Sequence, residues 1–170
     1  MQKIRLLLPF TQGVHADALE YAVLMAQSRN AVLVPLSIIQ VSNECGAKGA
    51  RLEYIQQSQD FLAAVEYNAL KHGVEVEQKE VYASDAVACI HKYIQTLHCD
   101  GILLLVENGK GVLLQTIEIK HVIASVASQV HLIRIQPQHA ESVDKSFIER
   151  LASVLAKGRL RQSRQEVLVR

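Results

Sequence analysis

The stretch GILLLV at residues 101–106 is the most continuous apolar run in the chain. Apolar residues at every position predict a strand buried on both faces, as in the centre of a parallel sheet. Two earlier segments have the same character: IRLLL at residues 4–8, which we expect Pro9 to end, and AVLVPLSIIQV at residues 31–41. Pro35 in the second segment cannot donate a ladder hydrogen bond, which predicts a bulge or an unpaired position there.

The segments between strands carry apolar residues at spacings of three and four, which is the pattern of helices that bury one face. Gly73 ends the second of these helices as a glycine stop signal, and Ser84 and Asp85 are N-cap candidates for the third. Four helices are predicted, with apolar faces in residues 14–25, 52–69, 87–97 and 119–126.

Two more strands complete the pattern. VEVEQKEV at residues 74–81 alternates apolar and charged residues in its first half, which predicts an edge strand with one face in water. VHLIRI at residues 130–135 predicts the fifth strand, and ENGKG at residues 107–111 predicts a loop. Strands that alternate with helices in this way predict a doubly wound α/β fold, a five-stranded parallel sheet covered by helices on both faces.

The chain divides into an α/β domain, residues 1–136, and a C-terminal segment, residues 137–170. The C-terminal segment closes with VLV at residues 167–169, which could pair as a small extra strand after a basic tail. Its first part predicts an extra amphipathic helix from an apolar stripe formed by Val143, Phe147, Leu151 and Leu155.

Composition excludes several classes of protein. Lys and Arg number 18 against 17 Asp and Glu, so net charge gives no indication of nucleic-acid binding, and the basic tail has no aromatic residue to stack bases. No apolar stretch approaches the roughly 20 residues that span a bilayer, so we expect no membrane insertion. The three cysteines form no CxxC pair, which is typical of a reducing, cytoplasmic setting.

No arrangement of residues predicts catalysis or a metal site. The tripeptide His98-Cys99-Asp100 combines a nucleophile with a base, but adjacent side chains point in different directions, so a working triad is rarely contiguous. The seven histidines form no HxH or HExxH motif, and none lies four residues from another His or Cys on a helix. We therefore expect a protein that is not an enzyme and holds no metal.

The order of the elements and several segments resemble the universal stress protein family over about residues 3–136. The Cys99-Asp100 pair before the fourth strand stands where the family commonly has Ala-Asp. The resemblance rests on KIRLLLP (3–9), ALEYAVLMA (18–26), AVLVPLSIIQV (31–41), SDAVACIHKYIQTLHCDGILLLV (84–106) and HVIASVASQVHLIRI (121–135).

The resemblance implies a sheet of order 3-2-1-4-5 with a ligand cleft at the switch point between strands 1 and 4. In nucleotide-binding members an Asp follows strand 1, and a Gly-x2-Gly-x9-Gly-Ser/Thr motif follows strand 4. Here Phe10 or Thr11 stands at the position of the Asp. Leu105, Asn108 and Glu118 stand at the glycine positions, and Glu118 would direct a carboxylate towards the phosphates. We therefore expect a member without the usual ATP site and without a cofactor, ATP or AMP being the alternative.

Two glycines and a lysine remain in the loop after strand 4. Such a loop can present backbone N–H groups beside a cation, which suits a phosphate or another anion. The alternative is a tight turn with a solvated lysine. The candidate site at the switch point consists of Phe10, Thr11, Asn108, Gly109, Lys110 and Gly111.

The strand that begins at Val130 and ends at Ile135 is a long hydrophobic edge in the implied order, and such an edge invites pairing with another chain. The resemblance implies dimers through this strand, so we expect a homodimer. The function predicted is that of a cytoplasmic regulatory or stress-response protein that also contacts an unidentified protein partner. Two alternatives remain: a sensor of adenine nucleotides or anions that uses the loop after strand 4, and a soluble regulatory domain of a transporter.

Overall fold

The computed structural model describes residues 3–42, 49–126 and 129–136. The predicted C-terminal helix, basic tail and extra strand, residues 137–170, lie outside the described residues. The strands are β1 (Arg5–Phe10), β2 (Val32–Gln40), β3 (Lys79–Ala83), β4 (Gly101–Glu107), β5 (Lys110–Val112) and β6 (Gln129–Ile135). The helices are α1 (Ala16–Ser28), α2 (Leu52–His72), α3 (Ala86–Thr96) and α4 (Thr116–Ser125).

The parallel strands follow the order β3-β2-β1-β4-β6, so the predicted sheet order and α/β fold are confirmed, with β6 as the predicted fifth strand. Successive side chains of a strand point to opposite faces of the sheet. On one face Leu7 belongs to a core cluster with Ile90 of α3 and Val122 of α4. On the other face Phe10 stacks on Phe61 of α2. Helices therefore pack against both faces.

The helix signals in the sequence correspond to observed ends. Gly73 caps α2 with a left-handed backbone, φ 65°, and the Asp85 side chain accepts a hydrogen bond from the Ala88 N–H at the start of α3. Leu52 differs from the expectation: it lies at the first position of α2 and is 80% exposed, because the buried face of the helix begins further along at Ser58 and Phe61.

The two prolines of the sheet behave differently. Pro9 does not end β1, which continues to Phe10, so the predicted end of this strand is wrong. β1 pairs with β4 only at Leu6 and Leu7, so Pro9 lies beyond the part of the strand that is bonded on both edges. Pro35 pairs with Leu8 on the β1 side of β2. On the β3 side the ladder is interrupted between Leu33 and Leu36, so the expected unpaired position is found on that edge alone.

The segment predicted as a loop after β4 is instead a β-hairpin. Asn108 and Gly109 both have positive φ, 50° and 76°, as a type I′ turn requires, and β5 pairs antiparallel with β4. β6 occupies one edge of β4 along its whole length, so β1 and β5 share the other edge. β5 therefore lies beside the last residues of β4, where β1 no longer pairs with that strand.

Candidate functional site

The switch point is the region where the carboxyl ends of β1 and β4 adjoin. In open α/β sheets, ligands bind outside the strands where the strand order reverses. β2 and β3 are added on one side of β1, whereas β4 and β6 are added on the other, so the strand order reverses between β1 and β4. Thr11 follows β1, Gln40 ends β2, and the β4–β5 hairpin leads into α4. These segments define the candidate site.

The chain's own backbone joins the two sides of the switch point. The carbonyl oxygen of Leu113, just after β5, accepts hydrogen bonds from the N–H groups of Thr11 at 2.8 Å and Gln12 at 3.2 Å. These are the first two N–H groups beyond β1, and both are used within the protein. The segment after the hairpin is thereby fixed to the end of β1.

Glu118 places a carboxylate in the middle of this arrangement. Its side chain is buried, with 8% of the residue exposed. One oxygen, Oε2, accepts hydrogen bonds from Thr11 Oγ1 and the Gln115 N–H, both at 2.8 Å. The other, Oε1, accepts from Gln40 Nε2 at 3.1 Å. A buried carboxylate needs such donors, and its position in the first turn of α4 is also favoured by the helix dipole.

The backbone around this carboxylate is tightly constrained. Leu113 has a φ of 71°, an unfavourable backbone conformation for a leucine. The residue is also buried, with 2% of its surface exposed. The Gly111 N–H donates to Thr116 Oγ1 at 2.9 Å. A Cβ atom at Gly111 would lie 2.3 Å from the carbonyl oxygen of Leu114, so a residue with a side chain cannot be placed there without displacing this segment.

The residues that the sequence predicts for the site lie in three different places in the structure. Thr11 lies at its centre and Gly111 at the base of the hairpin, whereas Asn108, Gly109 and Lys110 are exposed at the tip. The Phe10 ring faces away, into the α2 side of the core, with its centroid 4.2 Å from that of Phe61. Whether a ligand binds at any of these residues stays a prediction.

Sequence reasoning missed Gln40, Leu113 and Gln115. Gln115 and Glu118 form a capping box at the start of α4, but glutamine is not among the residues that usually signal an N-cap, so the local sequence gives little indication of it. Gln40 has no local signal, because its partner Glu118 is 78 positions away in the sequence. Asn108-Gly109 is the strongest short sequence signal for a hairpin turn, and it predicts a hairpin where a loop was expected.

His15 lies near the hairpin, where it connects the start of α1 to the end of β4. Its Nδ1 accepts a hydrogen bond from the Ala18 N–H at 3.3 Å, which caps the helix. Its Nε2 lies 3.5 Å from Oε2 of Glu107. Both histidine nitrogens thus have contacts, and the residue serves to fix α1 next to the hairpin.

The tripeptide His98-Cys99-Asp100 lies at the opposite end of the strands. Asp100 accepts a hydrogen bond from the Arg5 N–H at 2.8 Å and returns one from its own N–H to the Arg5 carbonyl at 2.9 Å. Burial raises the pKa of the Cys99 thiol, which disfavours the reactive thiolate. The contacts of Asp100 give it a structural role, joining the starts of β1 and β4.

One histidine is held neutral at the amino ends of the strands. His131 of β6 lies with its Nε2 3.0 Å from Arg29 Nη1, at the end of α1. Burial, together with the positive charge of Arg29, lowers the pKa of His131 to about 4. The ring also packs over Gly101, where a Cβ atom would lie 2.9 Å from Nε2.

Two absences among the described residues bear on function. None of the described helices is long and apolar enough to cross a membrane. Within residues 3–42, 49–126 and 129–136, no group of three or more His, Cys, Asp or Glu side chains converges to hold a metal ion.

Comparison with known proteins identifies the fold. The chain is similar to a universal stress protein from Archaeoglobus fulgidus, with a TM-score of 0.60 and 14% identity over 76% of this chain and 93% of that one. It is equally similar to a universal stress protein family protein from Burkholderia pseudomallei, with a TM-score of 0.60 and 16% identity over 76% and 94%.

A structure of the universal stress protein from Archaeoglobus fulgidus in complex with dAMP gives a TM-score of 0.58 and 14% identity, over 78% of this chain and 98% of that one. No family model matches the chain. No curated protein is significantly similar to it in sequence. The protein therefore has a universal-stress-protein-like fold, as the sequence resemblance implies.

Proposed function

We propose that the chain is a cytoplasmic regulatory protein of the universal stress protein type that acts by contacting other proteins, catalyses no reaction and binds no nucleotide at its switch point. The observation that carries this proposal is the position of Glu118. Its carboxylate is buried beside Thr11 and Gln40, at the place where this architecture would receive a ligand. A phosphate there would meet a like charge and would have to displace three internal hydrogen bonds.

The backbone supports the same conclusion. Phosphate binding at a switch point depends on free N–H groups and on glycines that allow close approach. Here the N–H groups of Thr11 and Gln12 already donate to Leu113, and that of Gly111 donates to Thr116. A nucleotide phosphate would have to compete for donors that the protein uses itself.

Calorimetric titration with ATP, ADP and AMP, with and without Mg²⁺, tests this proposal. We expect no binding heat at protein concentrations that would detect a dissociation constant of about 100 μM. A dissociation constant of tens of micromolar or tighter would contradict it. Lys110→Ala would then show whether binding involves the hairpin, with Lys92→Ala on the exposed side of α3 as the matched control.

We also propose that the protein forms a homodimer through β6. This seven-residue strand pairs with β4 by one edge, and no strand among the described residues pairs with its other edge. Ile133 and Ile135 are buried, and Arg134 is exposed on the strand. An unpaired apolar strand of this length favours pairing with a second copy.

Light scattering on the full chain, measured over a range of concentrations, tests the dimer. We expect a mass of about 38 kDa, twice the 18.9 kDa of one chain. A mass of 18.9 kDa at every concentration would exclude a stable homodimer.

A nucleotide sensor is the second candidate function. The similar structure from Archaeoglobus fulgidus is a complex with dAMP, and the β4–β5 hairpin of this chain exposes Lys110 next to the switch point. The Lys110 ammonium group could contact a phosphate that stays outside the region occupied by Glu118. The same calorimetric titration distinguishes the two candidates, because only the sensor predicts heat that Lys110→Ala removes.

A further inference from the structure

Glu118 makes one connection that the backbone alone does not make. Its carboxylate joins α4 to the ends of β1 and β2 at once, through Thr11 and Gln40. We refer to these three side chains as the Glu118 latch. Thr11 and Gln40 lie 107 and 78 positions from Glu118 in the sequence, so the latch holds together parts of the chain that are remote from one another.

The segment next to the latch has an unfavourable backbone. Leu113 is held at a φ of 71°, and its carbonyl accepts the two N–H groups of Thr11 and Gln12. Such a conformation persists only where the surrounding contacts determine it, and it is found at clamps and switches. Thr11 takes part in both sets of contacts, because its hydroxyl bonds to Glu118 and its N–H bonds to Leu113.

We propose that Glu118 is a conformational latch: its carboxylate holds the segment from β5 to the start of α4 against the ends of β1 and β2, and without it this segment opens locally. In the open state the N–H groups of Thr11, Gln12 and Gly111 lose their internal acceptors, while the sheet stays folded. The inference rests on the proposed function, since it takes the switch point to be closed by the chain itself. It adds that the closed state depends on one side chain.

The structure gives a reason for local rather than global opening. β4 stays paired with β6 along Gly101–Glu107 whether or not β5 is in place. β1 stays paired with β2 at six positions from Arg5 to Phe10. The hairpin strand β5 is only three residues long, so opening it sacrifices few backbone hydrogen bonds.

Hydrogen exchange of individual amides in the full chain tests the latch. The amides to follow are those of Thr11, Gln12 and Gly111. In Glu118→Ala we expect these three to exchange at least tenfold faster than in the unaltered protein. The reference amides are Leu33 and Glu77, which bond across the β2–β3 side of the sheet and should change less than twofold.

Ser58→Ala is the matched control. Ser58 is also buried, and its hydroxyl donates to a carboxylate, Glu80, at 2.5 Å, away from the switch point. Its removal disrupts a hydrogen bond between a buried side chain and a carboxylate, so it shows what such a loss does elsewhere in the fold. We expect it to leave the ratio between the Thr11 and Leu33 exchange rates unchanged.

Glu118→Gln provides the test if the alanine variant does not fold. Glutamine keeps the size of the side chain but removes its charge and replaces one acceptor oxygen with an NH2 donor, which Gln40 can accommodate only by reversing its own amide. We expect acceleration at Thr11, Gln12 and Gly111 in the same direction, at least threefold, with the references again unchanged.

Two results would overturn the latch: equal acceleration of all amides, reference amides included, or no acceleration at the three amides in the variant that folds. Neither result depends on nucleotide, because exchange is measured without it. Nucleotide binding by the unaltered protein would refute the proposed function, whereas the latch is judged by the exchange pattern alone.

Discussion

The two ends of the central strands use carboxylates in opposite ways. At the carboxyl ends, Glu118 is 8% exposed and accepts three hydrogen bonds. At the amino ends, the side chains of Glu75 and Glu77 are 60% and 37% exposed and pair with lysine and arginine. Exposed ion pairs contribute little to stability, whereas removing a hydrogen-bond donor from a buried carboxylate lowers the stability of the fold. Of these three carboxylates, the buried one thus lies at the end of the sheet where this architecture usually receives ligands.

The largest effect is expected from Gly111→Ala, which would break the closed end directly. The new Cβ atom would lie 2.3 Å from the Leu114 carbonyl oxygen and 2.9 Å from the Thr116 nitrogen. We expect the free energy of unfolding to fall by about 3 kcal/mol, measured by urea denaturation.

Gly13→Ala is the control for that substitution. Gly13 has a φ of 70°, but no atom lies within 4 Å of the position that a Cβ would occupy, so the cost is conformational, about 1 kcal/mol. Equal losses in the two variants would show that packing around Gly111 is looser than the structure indicates.

The amino end should show a dependence on pH through His131. Its pKa of about 4 in the folded protein lies below the ordinary 6.5, so between these values the unfolded chain binds a proton that the folded chain does not. Stability should therefore fall as the pH is lowered from 6.5 to 4, and this contribution should level off below pH 4. A shift of this size corresponds to roughly 3 kcal/mol for a fully buried group, and we expect about 2 kcal/mol because the His131 ring is partly exposed to solvent.

His131→Gln should remove this part of the pH dependence. Urea denaturation of both proteins at several pH values gives the difference between their free energies of unfolding. This difference cancels the titration of carboxylates that both proteins share, such as Glu77, whose pKa is lowered by Lys79 and Arg5. A constant difference between pH 4 and pH 6.5 would contradict the burial of a neutral His131 beside Arg29.

A smaller effect is expected from Thr11→Val, which removes one hydrogen-bond donor from Glu118. Valine keeps the shape of threonine, so the change is the loss of a hydrogen bond of 2.8 Å to a buried carboxylate. We expect a loss of about 1.5 kcal/mol in urea denaturation, because the acceptor is a buried carboxylate. Thr96→Val is the control, because Thr96 is exposed at the end of α3 and its hydroxyl donates to the Lys92 carbonyl within the same helix.

The smallest effect belongs to the exposed ion pair of the amino end. The Lys3 Nζ and Glu75 Oε2 atoms are 2.7 Å apart, with 53% and 60% of the two side chains exposed. Lys3→Ala should lower stability by about 0.5 kcal/mol or less, and the difference should shrink further in about 1 M salt, because dissolved ions screen exposed charges. A loss above about 1 kcal/mol would remove the contrast between the two ends.

The fold could be predicted because its signals are local and repeat along the chain. The apolar run that became β4, the glycine stop at Gly73 and the Asp85 cap each act through neighbouring residues, and their order determines the sheet. The predicted end of β1 was wrong, since whether a strand can contain Pro9 depends on which edge is paired at that point.

The candidate site could be predicted only in part. Sequence alignment to the family placed Glu118 at the switch point and predicted that its carboxylate opposes phosphate. It did not predict that Thr11 and Gln40 satisfy that carboxylate, because both contacts join residues far apart in the sequence. The hairpin was missed because the segment at residues 107–111 was interpreted by its glycines, not by its Asn-Gly turn signal.

The long sequence separation between Thr11 and Glu118 has a consequence for how the chain folds during synthesis. β1, β2 and β3 with their two connecting helices lie within residues 5–83, so they can assemble before β4 has left the ribosome. Until then no described strand of this N-terminal part pairs with the edge of β1 that will receive β4. The contact between Thr11 and Glu118 spans 107 positions and can form only after α4 has been made, so we expect it among the last steps of folding.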